Sequence, residues 1–166
     1  FSVLLMGFTI LLGPLWSGVT DAYSSGDKEW IRNAVKKYLY MLLVFIGVGL
    51  LMLAVADKIY SLWVGKEVEQ HISFNVSLLC FLFFSTTMFA SIFVYVINGI
   101  GALHIQFFAA IGASIVFVGL SLLLIKVFHM GVEAVLISTI ASNVFGYIIA
   151  PIQFYNIFYK KSTARI

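Results

Sequence analysis

From Ile72 to Ile125 the chain runs 54 residues without an Asp, Glu, Lys or Arg. A helix rising about 1.5 Å per residue needs about 20 apolar residues to cross a hydrocarbon core of roughly 30 Å. The run is therefore too long for one crossing and long enough for two, with Asn98-Gly99-Ile100-Gly101 as the turn between them. In lipid the backbone has no water to bond, so each crossing must satisfy its own polar groups as a helix. The expected class is an all-α integral membrane protein.

Composition supports this. Hydrophobic residues make up 62% of the chain, charged residues only 10%, and the mean hydropathy is +1.07, against about 25% charged residues in ordinary soluble domains. The net charge of +3 comes from basic residues gathered in a few places. It therefore bears on membrane orientation, and no arginine-rich, aromatic-interleaved patch suited to nucleic acid accompanies it. Cys80 is the only cysteine, so no intrachain disulfide can form.

Five crossings are expected within one membrane domain spanning residues 1–166, at about 1–20, 38–56, 72–97, 107–125 and 134–159. The fifth holds 26 uncharged residues and should tilt or project past the bilayer. Phe1 to Thr20 has no basic leader and contains Gly13-Pro14 and Trp16, unlike a signal peptide. Opening inside a hydrophobic segment is the pattern of a piece of a longer protein. Pro14 removes a backbone donor and crowds the Ile10 carbonyl, so a kink is expected there; Pro151 is placed to do the same in the fifth span.

Lys and Arg counted on alternate sides set the orientation. One side receives Lys28, Arg32, Lys36, Lys37, Lys160, Lys161 and Arg165, seven in all; the other receives Lys58, Lys66 and Lys126. The richer side is expected to be cytoplasmic, which starts the chain outside and ends it inside. In the first cytoplasmic loop Ser25-Gly26-Asp27 predicts a turn with Asp27 as N-cap, and Lys28, Arg32 and Lys36 recur on one helical face. These three are headgroup-contact candidates, expected on a short basic helix that lies along the bilayer lipids before turning into the second span.

Within the spans the polar residues are mild and patterned. Thr87, Ser91 and Tyr95, with Asn98 beyond, form a stripe on the third helix, and Thr139, Asn143 and Tyr147 form one on the fifth. Beside the latter runs a packing seam of Ser138, Ser142, Gly146 and Ala150, small enough for another helix to approach closely. The stripes fit either interhelical bonding or the wall of a hydrated cavity, whose candidates are Thr87, Ser91, Tyr95, Asn143 and Tyr147. His71, His104 and His129 stand apart on loops or helix ends, without a carboxylate cluster or Cys/His spacing. The sequence offers no metal site, cofactor motif or partnered nucleophile, so no enzyme is expected. Nor does an ionisable residue lie at mid-span, which argues against a proton relay.

Pro14-Leu15-Trp16-Ser17, then Asp21-Ala22, Gly26-Asp27, Trp30-Ile31, Trp63-Val64-Gly65, Asn98-Gly99-Ile100-Gly101, Gly131-Val132 and Pro151-Ile152-Gln153 occur in an order and spacing that resemble the polysaccharide flippases of the multidrug/oligosaccharidyl-lipid/polysaccharide exporter superfamily. The likeness covers nearly the whole chain. It implies a two-lobed transporter of twelve or more helices, flipping an undecaprenyl-pyrophosphate-linked oligosaccharide across the bacterial inner membrane during cell-surface polysaccharide assembly. On that map the five spans are the last five of the second six-helix lobe, and the missing N-terminal lobe would be a partner within the same protein. Polysaccharide polymerases and glycosyltransferases are the further partners implied. The eighth helix of such a protein runs outside to inside, as the charge count has it for the first span here. The resemblance also implies cationic residues meeting the pyrophosphate in a central cavity; none lies at mid-membrane in this chain, so none is carried over.

Two other functions fit the same residues. A cation-coupled multidrug exporter of that superfamily would be expected to carry acidic residues at depth, which this chain lacks. A non-transporting membrane scaffold or accessory subunit would use the polar stripes and the small seam for helix association alone.

Overall fold

The computed structural model describes residues 1–63, 65 and 73–160. Val64, Lys66, His71, Ile72, Lys161 and Arg165, which enter the sequence expectations above, lie outside the described residues. The described residues form helices: α1 (Ser2–Ser24), α2 (Lys28–Ala54), a short α3 (Ala56–Trp63), α4 (Phe74–Gly99), α5 (His104–Lys126), α6 (Val132–Ser142), a π-helical turn (Phe145–Ile149) and α7 (Ala150–Phe158). Five helical spans are long and apolar enough to cross a membrane, with Val132–Phe158 counted as the fifth. That is the architecture of a multi-pass membrane protein.

Helix ends form where the sequence supplies caps. Asp27 accepts from the Trp30 amide at 2.9 Å and opens α2, after a turn in which Gly26 takes φ +78°. Ser73 accepts from the Asn75 amide at 3.2 Å and opens α4. At the other end of α4 the Ala102 amide reaches back to the Ile97 carbonyl at 3.1 Å and the Gly101 amide to Asn98 at 3.1 Å. Gly101 stands there at φ +72°, a left-handed position that a residue with a Cβ adopts at a cost.

Two expectations about helix course are corrected. The basic segment is not a separate helix lying along the headgroups: Lys28, Arg32 and Lys36 belong to a single unbroken helix ending at Ala54. Nothing between Lys28 and Ile46 is Gly or Pro, so no residue there favours a turn over helix propagation. The fifth span is broken, and not simply at Pro151. Helix α6 stops at Ser142, Asn143 leaves helical geometry (φ −81°, ψ 25°), and the chain resumes through the π turn. A proline ring crowds the carbonyl four residues earlier, here that of Tyr147. Tyr147 sits inside the π turn, whose wider i→i+5 bonding, as from the Ala150 amide to Phe145, relieves that crowding.

The central helix is α4, which packs against α1, α2, α6, the π turn and α7. Helix α1 presents Phe8, Leu12, Leu15, Val19 and Ala22 to the core, an i, i+3, i+4 pattern, against Met88, Ile92, Phe93, Val96 and Ile97 of α4. Phe154 of α7 meets Phe93 with ring centroids 5.6 Å apart. The outer faces stay apolar: Leu43, Leu51 and Ile115 are among many large exposed side chains, the surface expected of helices that face lipid. Helix α5 lies outermost, with Ser121 its only buried residue, and packs chiefly on α6.

Candidate functional site

Antiparallel alternation gathers the α1–α2 turn, the α4–α5 turn and the end of α7 at one end of the bundle. Here Trp16, Asn98, Leu103, Gln106, Phe107 and Ala110 line a pocket of about 360 Å³. Its walls are held by a close approach of α1 to α4. The Thr20 hydroxyl lies 3.0 Å from the Gly99 carbonyl, and a Cβ on Gly99 would come within 3.1 Å of the Trp16 carbonyl. The Trp16 indole meets the Tyr95 ring edge-on at 5.9 Å.

Three carboxamides converge on this end. Asn98 Oδ1, Gln106 Oε1 and Gln153 Oε1 are buried and accept no hydrogen bond among the described residues, although Gln153 Nε2 donates to the Ala102 carbonyl at 3.2 Å. A buried acceptor left unpaired costs about 1–3 kcal/mol, and a carboxamide offers one acceptor and two donor hydrogens whichever way it is turned. Asn98 and Gln106 line the pocket directly, beside an indole. Such a surface hydrogen-bonds neutral hydroxyl or amide groups and packs against apolar C–H faces. Among the described residues no charged or nucleophilic side chain lines it, so these lining residues offer no counter-charge for a phosphate.

The sequence-derived cavity candidates are not brought together in this pocket. Thr87 donates to the Phe83 carbonyl at 2.7 Å and Ser91 to the Thr87 carbonyl at 2.8 Å, each within α4. Tyr95 stands beside Trp16, one step from the pocket. At the helix break the Tyr147 hydroxyl turns back seven residues to the Ile140 carbonyl at 2.7 Å, and so satisfies backbone that the break exposes. The Thr139, Asn143, Tyr147 stripe needs an uninterrupted α-helix, and the break at Asn143 interrupts it.

The small-residue seam divides. Ser138 and Ala150 are fully buried, and Gly146 abuts Ala90 of α4, where an added Cβ would come within 2.7 Å of the Ala90 methyl. Ser142 instead joins Thr139, Ser114 and Phe117 in lining a cleft of about 390 Å³ between α5 and α6.

Of the basic face, Arg32 is engaged. Its guanidinium lies 5.5 Å from the Tyr159 ring centroid and 3.4 Å from the Phe158 carbonyl, where it meets the C-terminal end of α7. Lys28 and Lys36 are exposed. His104 rests against Phe108 at 5.0 Å, and His129 occupies a left-handed turn at φ +51°. No group of metal-ligating residues occurs among the described residues.

Gln106 has no role in the sequence expectations. A signal for it exists: Asn98 and Gln106 lie four residues either side of Ala102, and a tight helical hairpin brings such equidistant positions together. Comparison with family models, curated proteins and solved structures gave no match.

Proposed function

We propose that this chain forms part of a transporter lobe that moves a lipid-linked oligosaccharide, carried on undecaprenyl pyrophosphate, across the bacterial inner membrane by alternating access. One observation carries the reading beyond the motif order: Asn98 and Gln106, whose buried carbonyl oxygens accept no hydrogen bond among the described residues, line one pocket together with the Trp16 indole. In a bundle that only packed, two unpaired acceptors would be a standing loss of stability. In a path for sugars they meet hydroxyl donors, with Trp16 offering an apolar face to the ring. The positive-inside count puts this pocket at the cytoplasmic end. Thr87, Ser91, Tyr95, Asn143 and Tyr147 would line the remainder of the wall. Thr87, Ser91 and Tyr147 would there serve as acceptors, since their own helices hold their hydroxyl protons.

The test is export of surface glycan per molecule of membrane-inserted protein in cells carrying Asn98→Leu or Gln106→Leu. Each change removes a carboxamide at similar bulk, so abundance should hold or rise while export falls several-fold. Unchanged export per molecule in both variants would remove the reason for placing sugars in the pocket.

A second reading, a scaffold that does not transport, is favoured by the small-residue seam, where Gly146 packs closely on Ala90 of α4. Asn143→Leu separates the two. A path residue would give constant abundance with reduced export; a packing residue would lose about 0.6 kcal/mol of stability with export per molecule unchanged.

A further inference from the structure

On the outer surface between α2 and α4 a groove of about 510 Å³ starts at Lys36 and continues over Leu39, Leu42, Leu43, Ile46 and Phe89. Tyr40 borders it and is 71% exposed, as Leu43 is 62% exposed, so the groove opens outward rather than into the core. Apart from the Lys36 ammonium and the Tyr40 hydroxyl its lining is hydrocarbon, and among the described residues no carboxylate contributes to it. From Lys36 to Ile46 the helix advances about 15 Å, half of a hydrocarbon core of roughly 30 Å. The groove therefore has the depth of one leaflet, with a cation at the headgroup level and an aromatic residue of the interfacial type beside it.

We propose that this groove binds one anionic phospholipid of the surrounding leaflet, its phosphate at Lys36 and one acyl chain laid along Leu39, Leu43, Ile46 and Phe89. Shape suits a chain: the groove runs the depth of one leaflet and its floor is continuous hydrocarbon from Leu39 to Ile46. Charge selects the headgroup, because the exposed Lys36 ammonium at one end of the groove is complementary to an anionic lipid and gains less from a zwitterionic one. The site is independent of the transport reading, since Lys36 and Ile46 lie on a different face from Asn98 and Gln106.

Native mass spectrometry of the full protein, exchanged from micelles containing equal phosphatidylglycerol and phosphatidylcholine of matched acyl chains, tests this. Phosphatidylglycerol should be retained about fivefold over phosphatidylcholine, the preference that one interfacial cation confers. Lys36→Gln should abolish the preference and Lys36→Arg should keep it. Leu43→Trp, which fills the groove from an exposed position, should lower retention of both lipids. Equal retention by the unaltered protein, a preference that survives Lys36→Gln, or retention unchanged by Leu43→Trp would overturn the proposal. So would preferential retention of undecaprenyl phosphate over phosphatidylglycerol in the same mixture.

Discussion

The Thr20 hydroxyl and the Gly99 carbonyl lie 3.0 Å apart across 79 residues of sequence, and this contact ties the C-terminal part of α1 to the last residue of α4. The same hydroxyl also lies 3.1 Å from its own Trp16 carbonyl, so one proton is shared between a local and a distant acceptor. Gly99 makes the approach possible. A Cβ there would lie 2.8 Å from Val19 Cγ1 and 3.1 Å from the Trp16 carbonyl, and the second of these is backbone that cannot rotate aside.

Thr20→Val keeps the shape and removes the donor, so it should cost about 0.6 kcal/mol, the usual worth of an interhelical hydrogen bond in a membrane. Gly99→Ala should cost more, about 1–3 kcal/mol, because the helices must separate. Unfolding in mixed micelles measures both. A Gly99→Ala variant as stable as the unaltered protein would mean that α1 and α4 part without penalty.

Gly146 and Ala90 make a matched pair. Gly146→Ala should destabilise by about 1–3 kcal/mol through contact with the Ala90 methyl, and Ala90→Gly in the same molecule should recover most of that loss. A double-mutant cycle reads the coupling. Independent, additive effects would show that the two residues do not oppose each other.

Tyr147→Phe deletes the hydroxyl that holds the Ile140 carbonyl. Amide exchange between Ile140 and Ile149 should quicken by about threefold, as expected for a loss of about 0.6 kcal/mol, while exchange in α1 should not change. Uniform acceleration along the chain would instead indicate a global effect.

For orientation, Lys36→Cys and Lys126→Cys in a Cys80→Ser background should label from opposite sides with an impermeant thiol reagent. The seven-to-three Lys and Arg asymmetry puts residue 36 inside and residue 126 outside. Labelling of residue 36 from outside intact cells would reverse the assignment.

The five long helices were legible because charge-free runs of about 20 residues have few other fates. The cap at Asp27 and the turn at Gly101 were legible because their chemistry is local. The unbroken course of α2 was hidden by its lysines, which suggest an interfacial helix but carry no signal that would end one. The break at Asn143 was hidden for the opposite reason: Pro151 gave the signal, but the chain absorbs the crowding over the turns before it rather than at the proline itself. The carboxamide pocket needed three dimensions. Asn98 could be read from a stripe, whereas Gln106, Trp16 and Gln153 gain meaning only when the α4–α5 hairpin folds against α1.

The π turn also acts as a phase setter. Five residues wound more loosely than an α-helix take up about one residue of slack, so deleting a single residue there would restore an ordinary helix and leave everything beyond nearly in place. Rewinding the same five residues as an α-helix, with nothing deleted, would instead rotate everything beyond by about one residue's turn, roughly 100°. Phe154 would turn away from Phe93, and the Phe158 carbonyl would leave the reach of Arg32. The aromatic column of α7 keeps its angular timing against α4 only because the helix before it is wound out of step.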